Sequence, residues 1–352
     1  MEISLLERIF LESIQRLRDE RSDRSLYHVF QGKKSATSLQ DAHFYDLEST
    51  FGTVLVSKQR FESVLTELAQ KKWIERQETL RLTSEGARLV RQTDEVIIDQ
   101  LGGELRGYTE MMWKRLSLLV QTVICLEAKQ PFIPVQQETI VREWVKSVLP
   151  TISNRAEWLA QMYQEWVLLL ERLSERDATL ISHRLSGVQT GWSYPQLARM
   201  MKVDVETVQF EFIIAWRRCI NDLSNTPLIQ QIGADLHTPK MTQSAQTTWE
   251  LLQQGLTVED VAVRRRLKNS TMEDHLVEIA MYAPVFPLDQ FVGVAQQEEI
   301  RHIAQQLKTF ALKRIKSAMQ SDVSYFQIRL VLARSKWEGS YWKRYCIDTS
   351  VM

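Results

Sequence analysis

Glycine and proline are scarce in this chain, 12 and 8 among 352 residues, against many Leu, Gln, Glu and Arg. Both residues interrupt helices, so their scarcity predicts helix almost throughout. Cysteine is scarcer still. Cys125, Cys219 and Cys346 are scattered and form no CxxC pair, which argues against a disulfide framework or a zinc site and fits a reducing compartment. Net charge is lacking too, with 44 Lys plus Arg against 44 Asp plus Glu. A chain without a global positive field meets nucleic acid only through local patches. No apolar run approaches the ~20 residues of a membrane span. The acidic start MEISLLERIF has no basic region of the kind that opens a signal peptide. The expectation is a soluble cytoplasmic protein, with association to the nucleoid left open and no membrane partner.

Sites for nucleotide and metal chemistry are missing from the sequence as well. No GxxxxGK[ST] or GxGxxG is present, and no Asp-Glu box follows a β-run. Gly32-Lys33-Lys34-Ser35 looks like the end of a phosphate loop, but Tyr27 stands where the upstream glycine is required. The histidines (His28, His43, His183, His237, His275 and His302) show no metal-ligand spacing, and no nucleophile elbow appears. The expectation is no cofactor, no metal and no enzyme.

What is there is a chain of amphipathic helices. Residues 3–18 carry Leu5, Leu6, Ile9, Phe10, Ile14 and Leu17 at helical spacing. Helices are expected at Asp23–Phe30 and Leu39–Leu47, and another is capped by Ser57, with Phe61, Val64, Leu65 and Leu68 on one face. Trp73–Arg76 and Thr79–Thr83 alternate in period two around a polar turn and predict a β-hairpin, after which Ser84-Glu85-Gly86 opens a further helix. Helices, a two-stranded wing and a closing helix over residues 1–90 resemble a winged-helix domain. The Ser57 helix either lies in a DNA groove or serves protein docking. Its mixture of Lys58, Arg60, Glu62 and Glu67 leans toward docking.

Residues 91–225 read as a helical region whose Trp, Leu and Met stripes, such as Trp158, Met162, Trp166 and Leu169, are core. Within it, 191–223 has the shape of a second helix-turn-helix and resembles that of sigma-like regulators, with Ser193 as cap and Val203-Asp204 as turn. Its second helix is apolar on most sides (Val208, Phe210, Phe212, Ile213, Ile214, Trp216), and Glu206 stands where a groove contact would start. A structural or dimer-forming role is favoured, which leaves a homodimer open. Residues 226–240, with Pro227 and Pro239, read as a linker.

The stretch 241–336 carries the sharpest pattern. Trp249, Leu251 and Leu252 give one helix an apolar face, and Gly255 ends it. Thr257 caps a short helix with Val258, Val261 and Ala262. After the basic turn Arg264–Lys268, Ser270-Thr271-Met272-Glu273 reads as a capping box for a third helix with Leu276, Ile279 and Ala280 on one side. Helix, tight turn and capped helix make the helix-turn-helix geometry. Phosphate contacts would come from Arg264, Arg265, Arg266, Lys268 and the helix start at Ser270; base edges would be reached from Thr271, Met272, Asp274 and His275. A second basic group is Lys313, Arg314 and Lys316, continued by Arg329, Arg334 and Lys336 around Tyr325. Tyr325 and Phe326 either stack on an unpaired base or, as favoured here, pack in the core.

Two runs in this stretch, GLTVEDVAVRRRLKNSTMEDHL at 255–276 and IKSAMQSDVSYFQIRLVLA at 315–333, resemble the helicase helix-turn-helix domain. That domain ends many RecQ-type DNA helicases and also a stand-alone bacterial protein found beside one. The resemblance implies a RecQ-type helicase as partner and a role in DNA repair or recombination. With no motor motif in this chain, the motor would be a separate polypeptide. The residues leave two other readings open: a winged-helix transcription regulator that reads an operator as a dimer, and a protein–protein scaffold without DNA contact. The aromatic and basic tail at 337–352 would dock a partner, stack on nucleic acid or strap the fold.

Overall fold

The computed structural model describes residues 3–92, 95–103, 106–236 and 241–335. Lys336, His237 and the tail at 337–352 lie outside the described residues. The chain is mainly α: among the described residues the only sheet is one two-stranded antiparallel hairpin. Two compact units emerge, one from the described residues of 1–10 and 95–238, the other from those of 11–94 and 239–335.

The first unit holds the start of α1 (Leu5–Arg16) and the helices α6 (Arg106–Glu127), α7 (Thr139–Val148), α8 (Arg155–Leu170), α9 (Glu175–Arg184), α10 (Tyr194–Met201), α11 (Val205–Asn221) and α12 (Pro227–Gly233). Its core gathers Met112, Trp113, Leu116, Met162, Trp166, Val208, Phe212 and Trp216. Trp113 meets Trp216 edge-on at 5.1 Å, and the Trp216 indole N–H donates to the Thr109 carbonyl at 2.9 Å, which satisfies the one polar atom so much aromatic surface carries inward. The second helix-turn-helix shape forms as expected. Ser193 and Gln196 make a capping box on α10, Lys202 turns the chain in the left-handed region, and Asp204 caps α11. The apolar faces of α11 are consumed in this core.

Residues 226–240, expected as a linker, contain α12 instead. Pro227 sits in its first turn, where a missing N–H costs nothing, and Ile229 and Ile232 are buried. Its free N–H groups are met by Glu165 of α8, whose two carboxylate oxygens accept from Leu228 N at 3.1 Å and Ile229 N at 3.0 Å.

The second unit joins residues 11–92 to the described C-terminal stretch 241–335. It contains α2 (Asp23–Phe30), α3 (Ala36–Phe44), α4 (Lys58–Gln70), β1 (Ile74–Arg76), β2 (Leu80–Leu82) and α5 (Ser84–Arg91). From the C-terminal stretch come α13 (Gln243–Gln253), α14 (Val258–Arg265), α15 (Asn269–Tyr282), α16 (Val294–Gln306), α17 (Leu312–Ala318) and α18 (Tyr325–Ser335). The hairpin pairs Ile74 with Leu82 and Arg76 with Leu80, so Ile74 and Leu80 point inward and Glu75 and Arg81 outward. Ser57 caps α4 by accepting from Arg60 N, and α5 starts from Thr83. The third helix begins at Ala36 under a Ser35 cap, three residues before the expected Leu39.

This second unit is built around α15, which packs against α13, α18 and α3. Polar ties fix the arrangement. Glu20, nearly buried, accepts from the Tyr45 hydroxyl at 2.7 Å, from Phe310 N at 3.0 Å and from the Thr309 hydroxyl. His43 of α3 places Nε2 3.0 Å from the Ala333 carbonyl oxygen of α18.

Candidate nucleic-acid interface

The helix-turn-helix consists of α13, α14 and α15. Gly255 takes φ +89° after α13, and Thr257 and Asp260 form a capping box that starts α14. Arg266 ends α14 in the left-handed region at φ 54°, and Leu267 N donates to the Ala262 carbonyl at 2.9 Å. Only Arg266, Leu267 and Lys268 separate the two helices. Lys268 is the N-cap residue of α15 and lends no side-chain bond, so the expected capping box at Ser270 is not formed. Ser270 lies inside the first turn, because the tight turn leaves no extended residue further along.

That turn sorts the basic run. Arg264, Arg266 and Lys268 are exposed, as are Asn269 and Ser270, and none of the three cations enters an ion pair among the described residues. Arg265 faces inward. Its guanidinium donates to the Ser244 carbonyl at 2.8 Å, to the Ser244 hydroxyl at 3.0 Å and to the Thr248 hydroxyl, tying α14 to α13. It is a structural residue rather than the phosphate contact expected of it.

The expected base-reading positions fare similarly. His275 is buried, with Nδ1 2.9 Å from the Thr248 hydroxyl oxygen, and burial followed by the Arg265 charge holds its pKa below the ordinary imidazole value. Met272 is buried. Asp274 is paired with Arg329. From Leu276 to Met281 α15 is buried on every side, and it meets solvent over its first two turns, where Asn269 and Ser270 are exposed and Thr271, Glu273 and Asp274 half-buried. A recognition helix meets base edges through its N-terminal residues, and at that end of α15 the accessible ones are Asn269, Ser270 and Thr271.

The second basic group also divides. Lys313 and Lys316 are exposed on α17, and the Lys316 amine sits 4.9 Å from the Tyr325 ring centroid. Arg314 is exposed but reaches within 3.5 Å of Glu20. Arg329 donates to Gln40 and Asp274, and Arg334 donates to the Ala283 and Pro284 carbonyls at the end of α15. These two arginines hold helices together. Phe326 meets Phe291 edge-on at 6.2 Å and lies in the packing, whereas Tyr325 is 46% exposed.

On the wing side the cations are matched by acids of the same face. Arg76 of β1 bridges Asp23 and Glu62, each at 2.6 Å, and Arg60 pairs with Glu67 at 3.4 Å. Arg81 pairs with Asp19 at 3.2 Å. Among these groups Lys58 is the exposed cation without an ion pair. No group of His, Cys, Asp and Glu among the described residues is placed to hold a metal ion, and no described helix is long and apolar enough to cross a membrane.

Sequence reasoning found the turn cations but missed Gln40, Asp41 and Arg21, which the fold brings beside Arg329 and Asp274. They lie on a segment more than two hundred positions away, and nothing in their local pattern signals it.

Three helices joined by a capped turn define a helix-turn-helix protein, and residues 244–332 match the helix-turn-helix domain family. The chain is also similar over nearly its whole length to Protein YpbB of Bacillus subtilis (strain 168), with 27% identity over 346 residues, which is 95% of this chain and 98% of that protein. Both findings bear out the resemblance carried by residues 255–276 and 315–333. No solved structure matches.

Proposed function

We propose that this protein is a non-enzymatic, DNA-associated accessory factor that binds duplex through phosphate contacts and works with a RecQ-type helicase in DNA repair or recombination. The observation that carries the DNA reading is the α14–α15 turn. There, three exposed cations without ion pairs, Arg264, Arg266 and Lys268, surround the N-terminus of a 14-residue helix. Free backbone N–H groups and the helix dipole favour an anion at such an end. The helicase partner follows from the resemblance of 255–276 and 315–333, and the missing motor motifs are consistent with it.

A groove-reading transcription regulator fits less well, because of the positions expected to reach base edges Met272 and His275 are buried and Asp274 is paired with Arg329. Contacts to phosphate position a protein on DNA without reading sequence. The protein should therefore bind duplexes of unrelated sequence alike, with affinity falling as salt rises. Combining Arg264→Glu with Arg266→Glu should weaken binding at least tenfold and reduce the salt slope by about two. The protein should also co-purify with the helicase and change its unwinding rate. Salt-independent binding unaffected by the double substitution would leave a scaffold without DNA contact as the better reading.

A further inference from the structure

A cleft of about 470 Å³ opens in the second unit, walled by α3, α15, α17 and α18. On its floor Arg329 Nε donates to Oε1 of Gln40 at 2.9 Å, and Arg329 Nη2 donates to Asp274. A guanidinium only donates, so this contact fixes which end of the Gln40 carboxamide faces Arg329. The amide nitrogen is turned the other way. Gln40 is 7% exposed, yet its Nε2 donates to no group among the described residues. That nitrogen is not among the fully buried atoms without a partner, so its two donors are left to the solvent of the open cleft that Gln40 lines.

The other walls complete a pattern. Arg21 is anchored through Nε to Asp41 at 2.6 Å. Phe44 supplies an apolar wall, held in place by stacking on Phe310 at 5.8 Å. Lys313 and the half-exposed Tyr325 ring stand at the rim. An aromatic ring for a base face, amide donors for acceptor atoms on a base edge and an amine for phosphate are the parts of a nucleotide subsite. The cleft is the size of a small-ligand pocket and far too narrow for duplex.

We propose that this cleft takes a single unpaired nucleotide, its base between Tyr325 and Phe44 with its edge on Gln40, and its phosphate toward Lys313. The nucleotide comes either from a single-stranded tail of DNA or as a free mononucleotide. The proposal builds on phosphate binding at the α14–α15 turn and adds a preference for duplex with an unpaired end.

Fluorescence anisotropy on the full chain tests it, with a blunt duplex, the same duplex carrying a short single-stranded tail, and dAMP as competitor. The tailed duplex should bind roughly tenfold more tightly, the worth of one stacked base. Tyr325→Ala should erase that difference and leave blunt-duplex affinity alone. Gln40→Glu, which keeps an oxygen for Arg329 and removes the donors, should do the same, with Gln40→Ala tested beside it for folding by circular dichroism. Competition by dAMP identifies a free nucleotide as a source; a tail preference that dAMP does not disturb identifies the strand. Equal affinity for blunt and tailed duplex together with no dAMP binding overturns the proposal. So does displacement of the tail by poly-glutamate as readily as by dAMP. Loss of blunt-duplex binding with tail or dAMP recognition retained would remove the turn reading and leave this one standing.

Discussion

His275 Nδ1 and Thr248 Oγ1 lie 2.9 Å apart inside the second unit, and Arg265 reaches the same hydroxyl. Since the guanidinium can only donate, Thr248 accepts from Arg265 and keeps its own proton for Nδ1. The chain of contacts suits a neutral imidazole with its lone pair on Nδ1. Burial first, then the Arg265 charge, lower the His275 pKa from its ordinary 6.5. The folded state thus binds this proton less well than the unfolded state does. Its contribution to stability is complete above the unfolded value and is lost as pH falls through the lower folded value. Denaturant midpoints measured from about pH 8 down to about pH 5 should decline on the acid side, and His275→Gln should flatten that part of the decline. An acid limb identical in the two proteins would mean that His275 does not govern it.

The same network shows what could be read in advance. Caps, turns and periodicity are local, so Ser57, Thr257, Gly255 and the Ile74–Leu82 hairpin all stand where the sequence put them. Local signals also named Arg264–Lys268 as one basic run, but the sorting of Arg265 from its neighbours depends on where α13 lies. The burial of α15 was harder still. His275 is one of the positions expected to reach base edges, yet it and Glu278 are buried, and α3, from far away in the sequence, helps enclose this helix. Pairings between segments so distant leave no periodicity to detect.

Glu165 gives a second prediction. Its two oxygens cap α12 from α8 with almost no exposure, so removing the carboxylate leaves two buried N–H groups without acceptors. Glu165→Ala should destabilise the first unit by about 3 kcal/mol, and Glu165→Gln, which keeps one acceptor oxygen, by about half as much. Urea unfolding followed by tryptophan fluorescence reports this directly, since Trp113, Trp166 and Trp216 fill that core. Equal midpoints for the two variants would show that the capping oxygens are not what holds α12.

Gly86 supports a third. A Cβ there would come within 2.1 Å of the Trp73 carbonyl oxygen, which already accepts from the Thr83 hydroxyl at 3.1 Å. The obstruction is backbone and has no rotamer to yield, so α5 would have to lift from the hairpin. Gly86→Ala should cost about 1–3 kcal/mol in the second unit. Hydrogen exchange should locate the loss at residues 73–86 and spare α15. Exchange raised uniformly over the unit would contradict a local origin.

Arg266 separates stability from binding. It ends α14 at φ 54°, ψ 45°, a conformation that glycine adopts freely and a Cβ disfavours by about 1 kcal/mol. Its side chain enters no ion pair among the described residues, so nothing in the interior repays that strain. Arg266→Gly should therefore hold or raise the unfolding midpoint, by at most ~1 kcal/mol once the extra freedom of the unfolded glycine is counted. If Arg266 touches phosphate, the same substitution should weaken duplex binding and lower the salt slope by about one. Arg265→Ala makes the opposite pair: stability falls as the ties to Ser244 and Thr248 go, and the salt slope stays. Titrations of the two variants at several salt concentrations, set beside their unfolding curves, decide the matter. Should Arg266→Gly change neither slope nor affinity, the arginine is an accident of the turn and the phosphate contacts must be sought at Arg264 and Lys268.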